Sequence, residues 1–320
     1  MLLAADIGGT RARIGVFTDA ALPVPVTIRT YETARLRDFA ELVQRFSADL
    51  GTPLEVQAAG VGIAGPVRDG RGSLTNGSWG VSRAEVAAAT GTERASVVND
   101  LVALGWSVTA LDPTSITTLQ TGAPRSPRDE GTRVSAVIAP GTGLGEATVV
   151  QQAGCVHVLP TEAGHADFAA RTDREWELAA RLRGIHGRAS VEEVVSGRGL
   201  MAIARLTHAG RSCAAGTPES ITAQGLASEC DACVEALHVF TGALGAETGN
   251  LALRTLPDGG VYIGGGMAGS MLPLLISGPF LDAFTRKPPM ADLLRHIPIQ
   301  VITDTYAGLR GAALAARRPA

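Results

Sequence analysis

The residues able to do chemistry lie in a few short runs. Asp6-Ile7-Gly8-Gly9-Thr10 separates two apolar runs and reads as a glycine turn between strands. In such a turn, backbone N–H groups can face a phosphate and glycine permits close approach. A carboxylate at the strand end can hold Mg2+, directly or through water. The plain alternative is a hairpin turn whose amides Asp6 satisfies. Gly141-Thr142-Gly143-Leu144-Gly145 also lies between two β-like runs and is a second candidate phosphate loop, with Thr142 adding a hydroxyl. Gly264-Gly265-Gly266-Met267-Ala268-Gly269 matches the dinucleotide spacing G-x-G-x-x-G after a strand, with Asp282 near the expected offset. Pro273, Gly278 and Pro279 interrupt the helix that a dehydrogenase would need there. The same glycines can instead let backbone pack against adenine or ribose.

Asn99-Asp100 ends a strand and opens a helix. Both types are favoured N-caps, yet strand ends in open α/β sheets are also where ligands sit. An Asp there can take a proton from a substrate hydroxyl. The helix dipole predicts a lowered pKa and a weak base, which suits phosphoryl transfer, where the proton leaves late. Glu162-Ala163-Gly164-His165 puts a carboxylate and an imidazole at i, i+3, able to read adjacent hydroxyls of a polyol or simply to form a surface turn. His165 and Asp167 have no third ligand nearby to complete a metal site. In Ser190-Val191-Glu192-Glu193 a capping box occupies Glu193 and leaves Glu192 as a solvated helix residue. Cys230-Asp231-Ala232-Cys233 lacks the second pair that zinc would need, since Cys155 and Cys213 do not supply the spacing. It also sits in a helical pattern rather than after the strand of a redox unit. The expectation is two packed core cysteines and no zinc.

The elements that must position these groups follow from periodicity. Strands are expected at 2–5, 12–17, 24–31, 56–63 and 94–98, with helices at 35–50, 101–111 and a short one opened by the Ser82–Glu85 capping box. A polar stretch at 121–133 reads as a loop near a domain boundary. Beyond it the pattern restarts with strands at 134–139, 147–151, 156–159, 261–263 and 299–302. Helices are expected at 174–183, 190–195, 200–209, 289–296 and 308–317, and over 219–256 with a break. Each half thus opens on strand, glycine turn, strand. Two α/β lobes with a glycine turn each suggest a nucleotide clamped between them.

Composition narrows the classes. The chain has 320 residues, 45% apolar, with 28 basic against 31 acidic side chains. Lys287 is the only lysine, in an Arg-Lys-Pro-Pro run that reads as an exposed loop. No P-loop lysine follows any glycine run, and a Schiff-base mechanism has one poor candidate. A net charge of −3 argues against a nucleic-acid binder. The N-terminus has no basic n-region, and no apolar stretch approaches the ~20 residues of a membrane span. Four cysteines make no secreted disulfide framework. A cytoplasmic protein is expected. The 39 glycines, about 12% against a usual ~7%, cluster beside apolar runs.

In order, the runs DIGGTRAR (6–13), GIAGPV (62–67), LTNGSW (74–79), VVNDLVALGW (97–106), APGTGLG (139–145), PTEAGHADF (160–168), SVEEVVSGRGL (190–200), GNLAL (249–253), YIGGG (262–266) and AGLRGAA (307–313) resemble the bacterial glucokinase family. That family lies within the superfamily of acetate and sugar kinases, Hsp70 and actin. The resemblance implies a two-lobed actin-like ATPase fold with ribonuclease H-like α/β lobes and an interlobe cleft. The small lobe would be 1–110 plus 303–320, and the large lobe 111–302. It implies ATP-dependent phosphorylation of glucose to glucose 6-phosphate, feeding glycolysis, with Mg2+ and a homodimer. Mannose or glucosamine is the alternative substrate, and a sugar sensor on the same fold the non-enzyme alternative.

By the same resemblance Asp100 is the general base on the sugar 6-hydroxyl. Asn99, Glu162, His165 and Glu192 hold the other hydroxyls, and Asn76 supports them. Gly8, Gly9 and Thr10 form the first phosphate loop, and Thr142 and Gly143 the second. Gly264, Gly265 and Gly266 lie against adenosine, and Asp6 orients Mg2+ through water. Members carrying a similar CxxC support the structural reading of the cysteines. No cysteine-rich zinc motif of the related repressor–kinase family follows His165. Arg11, Pro140 and Ala163 depart from the family pattern without removing a reacting group.

Overall fold

The computed structural model describes residues 1–75, 79–123, 131–209 and 215–317. The chain divides into two compact units: Met1–Ser115 with Asp304–Ala320, and Ile116–Thr303.

The first unit begins with the hairpin β1 (Leu2–Ile7) and β2 (Arg11–Phe17), then β3 (Pro25–Glu32) and α1 (Phe39–Leu50). Next come β4 (Ala58–Ile63), a small sheet of β5 (Val67–Arg68), β6 (Arg71–Ser73) and β7 (Gly80–Ser82), then α2 (Arg83–Thr90), β8 (Ala95–Asn99) and α3 (Asp100–Ser107). The five-stranded sheet runs β3-β2-β1-β4-β8. Its first three strands are antiparallel, and β1, β4 and β8 are parallel.

Alternation along β1 decides what each face carries. Leu3, Ala5 and Ile7 pack in the cluster that holds Phe39, Leu42 and Phe46 of α1. Leu2 and Ala4 pack with Ala103 of α3 on the other face. Side chains alternate with period 2, so Asp6 falls on the α3 face at the strand's C-terminal end. β4 alternates in the same way, with Ala59, Val61 and Ile63 on the α1 side.

The second unit comprises β9 (Ile116–Gln120), β10 (Arg133–Pro140), β11 (Leu144–Gln152), β12 (Cys155–Thr161), α4 (Asp173–His186), α5 (Gly197–Thr207), α6 (Pro218–Leu226) and α7 (Asp231–Thr255). After β13 (Val261–Ile263) come four short helices, α8 (Gly266–Ser270), α9 (Leu272–Ser277), α10 (Phe280–Thr285) and α11 (Ala291–Arg295), then β14 (Ile299–Ile302). The sheet order is β12-β11-β10-β13-β14-β9. An antiparallel hairpin and third strand again lead into parallel β10, β13 and β14. The chain then returns to the first unit as α12 (Ala307–Ala315). There, Gly60 of β4 lies so close to α12 that a Cβ on it would stand 1.9 Å from the Ala312 carbonyl oxygen.

Several expectations change. Residues 190–195 form a turn rather than a helix, although the box forms: Ser190 N–H donates to Glu193 Oε2 at 2.7 Å. Ser196 then caps α5 by accepting the Gly199 N–H. The break expected in 219–256 falls between α6 and α7. Strands β5–β7 and β9 are not among those expected from periodicity. Lys287 is not a fully exposed loop residue: half-buried, it donates from Nζ to Asn250 Oδ1 at 2.6 Å. Burial, first, and the Arg171 charge hold its pKa below the usual lysine value. No described helix is long and apolar enough to cross a membrane.

Candidate active site

In the first unit the parallel strands end together. Asp6 pairs in register with Gly62, and Ile63 with Asn99, so Asp6 and Asn99 stand two strand spacings apart, about 10 Å across the sheet. Asn99 caps α3: its Oδ1 accepts the Leu101 N–H at 3.0 Å, and its Nδ2 donates to the Gly65 carbonyl at 3.0 Å. Its cap role is therefore visible, and Gly65 is a partner the sequence did not suggest. Asp100 Oδ1 also accepts the Leu101 N–H, at 2.9 Å. That bond fixes one carboxylate oxygen, and the Asn99 side chain and the N–H of Asp100 itself also bond to the carboxylate.

The expected pKa of Asp100 is corrected. It is pushed up to about 6, by burial first and by the charge of Asp6 second. The Leu101 N–H bond and the Asn99 side chain pull the other way and lose. A helix N-terminus offers a charge roughly 0.3–1 kcal/mol at an exposed site. Although Asp100 keeps exposed surface, the loss of water around its carboxylate outweighs that stabilisation here. Asp6 is raised as well, by burial, with Arg13 at 3.8 Å opposing.

The Gly8–Thr10 loop is tied down on one side. Gly8 N–H closes the turn on the Arg11 carbonyl at 3.0 Å. Thr33 donates from Oγ1 to the Gly8 carbonyl at 2.7 Å and from its N–H to the Thr10 carbonyl at 3.0 Å. Thr33 is buried and belongs to no motif visible in the sequence. Arg11 is exposed and pairs in register with Glu32.

The second unit joins three runs that are far apart in sequence. Gly141 N–H donates to the Gly143 carbonyl at 2.8 Å, closing the second glycine loop. Glu192 Oε2 accepts the Leu144 N–H at 3.0 Å, and its Oε1 pairs with Arg198 at 2.8 Å. Glu192 N–H donates to the Gly164 carbonyl at 2.8 Å. Gly164 rests on the loop so closely that a Cβ would stand 2.3 Å from the Leu144 carbonyl oxygen. Glu192 is thus no solvated helix residue. It braces the glycine loop beside the turn that carries Glu162 and His165, whose Oε2 and Nε2 are 3.9 Å apart and exposed. Arg198, its ion-pair partner, was missed because a charge on the first turn of a helix has no periodic signature. Asn76 lies outside the described residues.

A cavity of about 610 Å³ in the second unit is lined by Thr142, Arg198, Met201, Thr222, Gly266 and Met267, among others. Its volume suits a small-molecule ligand. Gly266 reaches it, whereas Gly264 and Gly265 are not among its lining residues. Gly264 N–H is instead used on the Ile138 carbonyl at 2.9 Å.

Behind the loop, Glu146 of β11 is wholly buried, 3.8 Å from Arg254. Burial, then the neighbouring Glu247, push its pKa up to about 8, with Arg254 opposing. Its native pKa lies above the ordinary value of 4.5, so this group's stabilising contribution is complete below pH 4.5 and is lost as pH rises through about 8. Glu146→Gln, which mimics the neutral acid, should flatten the thermal midpoint between those pH values and raise it at the alkaline end. A pH series of thermal melts in which wild type and variant run parallel would contradict this.

Two units that share the order third strand, hairpin, two parallel strands, each with a glycine turn in its hairpin and the second with β9 added at the edge, define the ribonuclease H-like, actin-like ATPase class of α/β fold. A sequence model described as "Glucokinase" matches residues 3–319. The chain is 35% identical over 347 residues to the glucokinase of Nostoc sp. (strain PCC 7120), covering 99% of each. Its fold matches the crystal structure of a glucokinase from an Antarctic psychrotroph with a TM-score of 0.83, at 30% identity over 98% of each chain. A Streptomyces griseus ROK family glucokinase, solved with glucose and AMPPNP, shares the fold at a TM-score of 0.67 and 21% identity, over 99% of each chain. The chain belongs to the glucokinase family.

Proposed function

We propose that this protein transfers the terminal phosphoryl group of ATP to the 6-hydroxyl of glucose, with Asp100 as the base. The observation that carries the role is Asp100 itself: one oxygen held by the Leu101 N–H, the other unused by that bond, and a proton affinity raised to about 6. A base poised near the working pH is best placed to take a proton in the transition state. The sugar O6 bonds to the γ-phosphorus as the bond to the β,γ-bridging oxygen breaks. ADP leaves, and the O6 proton passes to Asp100 Oδ2 and then to water.

Asn99, whose amide is already used on Gly65 and Asp100, is assigned to sugar hydroxyls together with Glu162, His165, Glu192 and Asn76. The N–H groups of Gly9 and Thr10, and of Thr142 and Gly143, are assigned to phosphate oxygens. The cavity at Gly266 and Met267 is assigned to adenosine. Asp6 and Asp100 are oxygen donors whose charges oppose one another, a set that fits a hard cation such as Mg2+. Bound there through Asp6, Mg2+ would neutralise phosphate charge. An ATP-consuming sugar kinase works where ATP is made, so the reading includes a cytoplasmic location.

Glu162→Gln should raise KM for glucose and leave KM for ATP nearly unchanged, as initial rates at varied concentrations of each would show. A rise confined to KM for ATP would place Glu162 elsewhere. The reading as a whole is tested by ADP release from ATP across glucose, mannose and glucosamine, with and without Mg2+. The highest kcat/KM should belong to glucose. A higher value for mannose or glucosamine transfers the assignment to that sugar, and no sugar-dependent release supports the sensor reading.

A further inference from the structure

We propose that His208, Cys230 and Cys233 form a site for a thiophilic divalent cation of the Zn2+ class. The three residues meet where α5 ends and α7 begins: His208 is the C-cap residue of α5, Cys230 the N-cap residue of α7, and Cys233 lies in the first turn of α7. Their ligating atoms all lie within 4.8 Å of one another. His208 Nε2 is 3.5 Å from Cys230 Sγ and 3.5 Å from Cys233 Sγ. With zinc bonds of ~2.3 Å to sulfur and ~2.05 Å to nitrogen, a tetrahedral angle puts S and N about 3.6 Å apart. The side chains therefore already stand at ligand separations.

The imidazole is prepared for the task. His208 Nδ1 lies 2.7 Å from the Ala204 carbonyl, which can only accept, so Nδ1 carries the proton. In the neutral ring this leaves the Nε2 lone pair, which faces both sulfurs. A backbone carbonyl on the far nitrogen is the usual way in which a metal-bound histidine is oriented. Thr207 Oγ1 donates to the Ala232 carbonyl at 2.8 Å, holding the two helices in this register. Cys233 is buried, while His208 and Cys230 are partly exposed, so an ion has a route in. The site shares none of the residues assigned to sugar or nucleotide. Its chemistry is that of a staple between α5 and α7: binding releases thiol protons and transfers no group.

The test uses the full chain without a polyhistidine tag. Zinc is measured by mass spectrometry after dialysis, then replaced by Co2+ and the visible spectrum recorded. Wild type should hold about one equivalent per chain, and the Co2+ form should show intense tetrahedral d–d bands with a thiolate-to-metal charge-transfer band. Cys230→Ser and His208→Gln should each weaken binding at least ~10-fold and lose the charge-transfer intensity or change the d–d pattern. Cys155→Ser should retain both. His208 and Cys230 are partly exposed, so these variants should fold, as circular dichroism would verify. Chelation should lower the thermal midpoint of wild type and not of His208→Gln. Sub-stoichiometric zinc with no Co2+ thiolate band overturns the proposal, as does full metal content in both ligand variants. A Cys230–Cys233 disulfide in protein purified without added oxidant also overturns it.

Discussion

Asp100→Asn is expected to lower kcat with glucose by at least ~10²-fold, the lower end for loss of a general base. The fall corresponds to about 2.7 kcal/mol of transition-state stabilisation. Asparagine is nearly isosteric, and its Oδ1 can still accept the Leu101 N–H that Asp100 accepts at 2.9 Å. The start of α3 is therefore preserved, along with the Asn99 cap. What disappears is an oxygen able to hold the proton of the sugar hydroxyl. Glucose affinity, measured by calorimetry or fluorescence, should stay within a few-fold. Near-normal turnover would remove Asp100 from the mechanism, and a matched loss of binding and turnover would make it a binding residue alone.

The second large effect is on stability. Gly311 of α12 packs so tightly on α3 that a Cβ would stand 1.6 Å from the Ala103 carbonyl oxygen. The obstructing atom is helix backbone, which has no rotamer by which to yield. Gly311→Ala must therefore push α12 off α3, and with helix backbone as the obstacle the cost should fall at the upper end of the roughly 1–3 kcal/mol usual for over-packing. That is a large share of a total stability of ~5–15 kcal/mol. Gly308 on the same helix has nothing within 4 Å of its would-be Cβ. Gly308→Ala should be neutral or stabilising by up to about 1 kcal/mol through helix propensity. Denaturant titrations of the pair give the comparison. Equal effects at the two positions would show that α12 does not seat on α3 through Gly311. The late AGLRGAA run thus has a physical reason. Buried Arg310 pairs with Asp304 at 3.0 Å and reaches the Pro23 carbonyl, while its neighbour Gly311 admits α3.

Much of the architecture was legible because period-2 runs flanking a glycine turn are specific to strand hairpins. Pro273, Gly278 and Pro279 also marked where one long helix could not form, and three short ones stand there. The small sheet was not legible, since strands of two or three residues cannot display a period. At 190–195 the capping-box residues do bond to each other, yet Ser196 starts the helix. Local hydrogen bonds of that box specify a turn as readily as a helix.

The glycine loops and the Asp6 and Asn99-Asp100 strand ends were readable from residue type and spacing. The bracing role of Glu192 was not, because Leu144, Gly164 and Arg198 meet it only in the folded unit. The direction of the Asp100 pKa shift was not readable either, since a helix start is visible in sequence and burial beside Asp6 is not. His208 is separated from Cys230 by a span for which no ligand-spacing rule exists, so the CxxC looked incomplete.

The pH dependence of kcat/KM for glucose, measured at fixed ionic strength with saturating ATP and Mg2+, tests the role of Asp100 most directly. A base pushed up to about 6 by burial and by Asp6 must be ionised to act. The value of kcat/KM should be level near pH 7.5 and fall tenfold per unit on the acid side of about 6. In Asp100→Asn that limb should be missing from the residual activity. A wild-type profile that stays level well below pH 6, or a variant that keeps the same limb, would contradict that role.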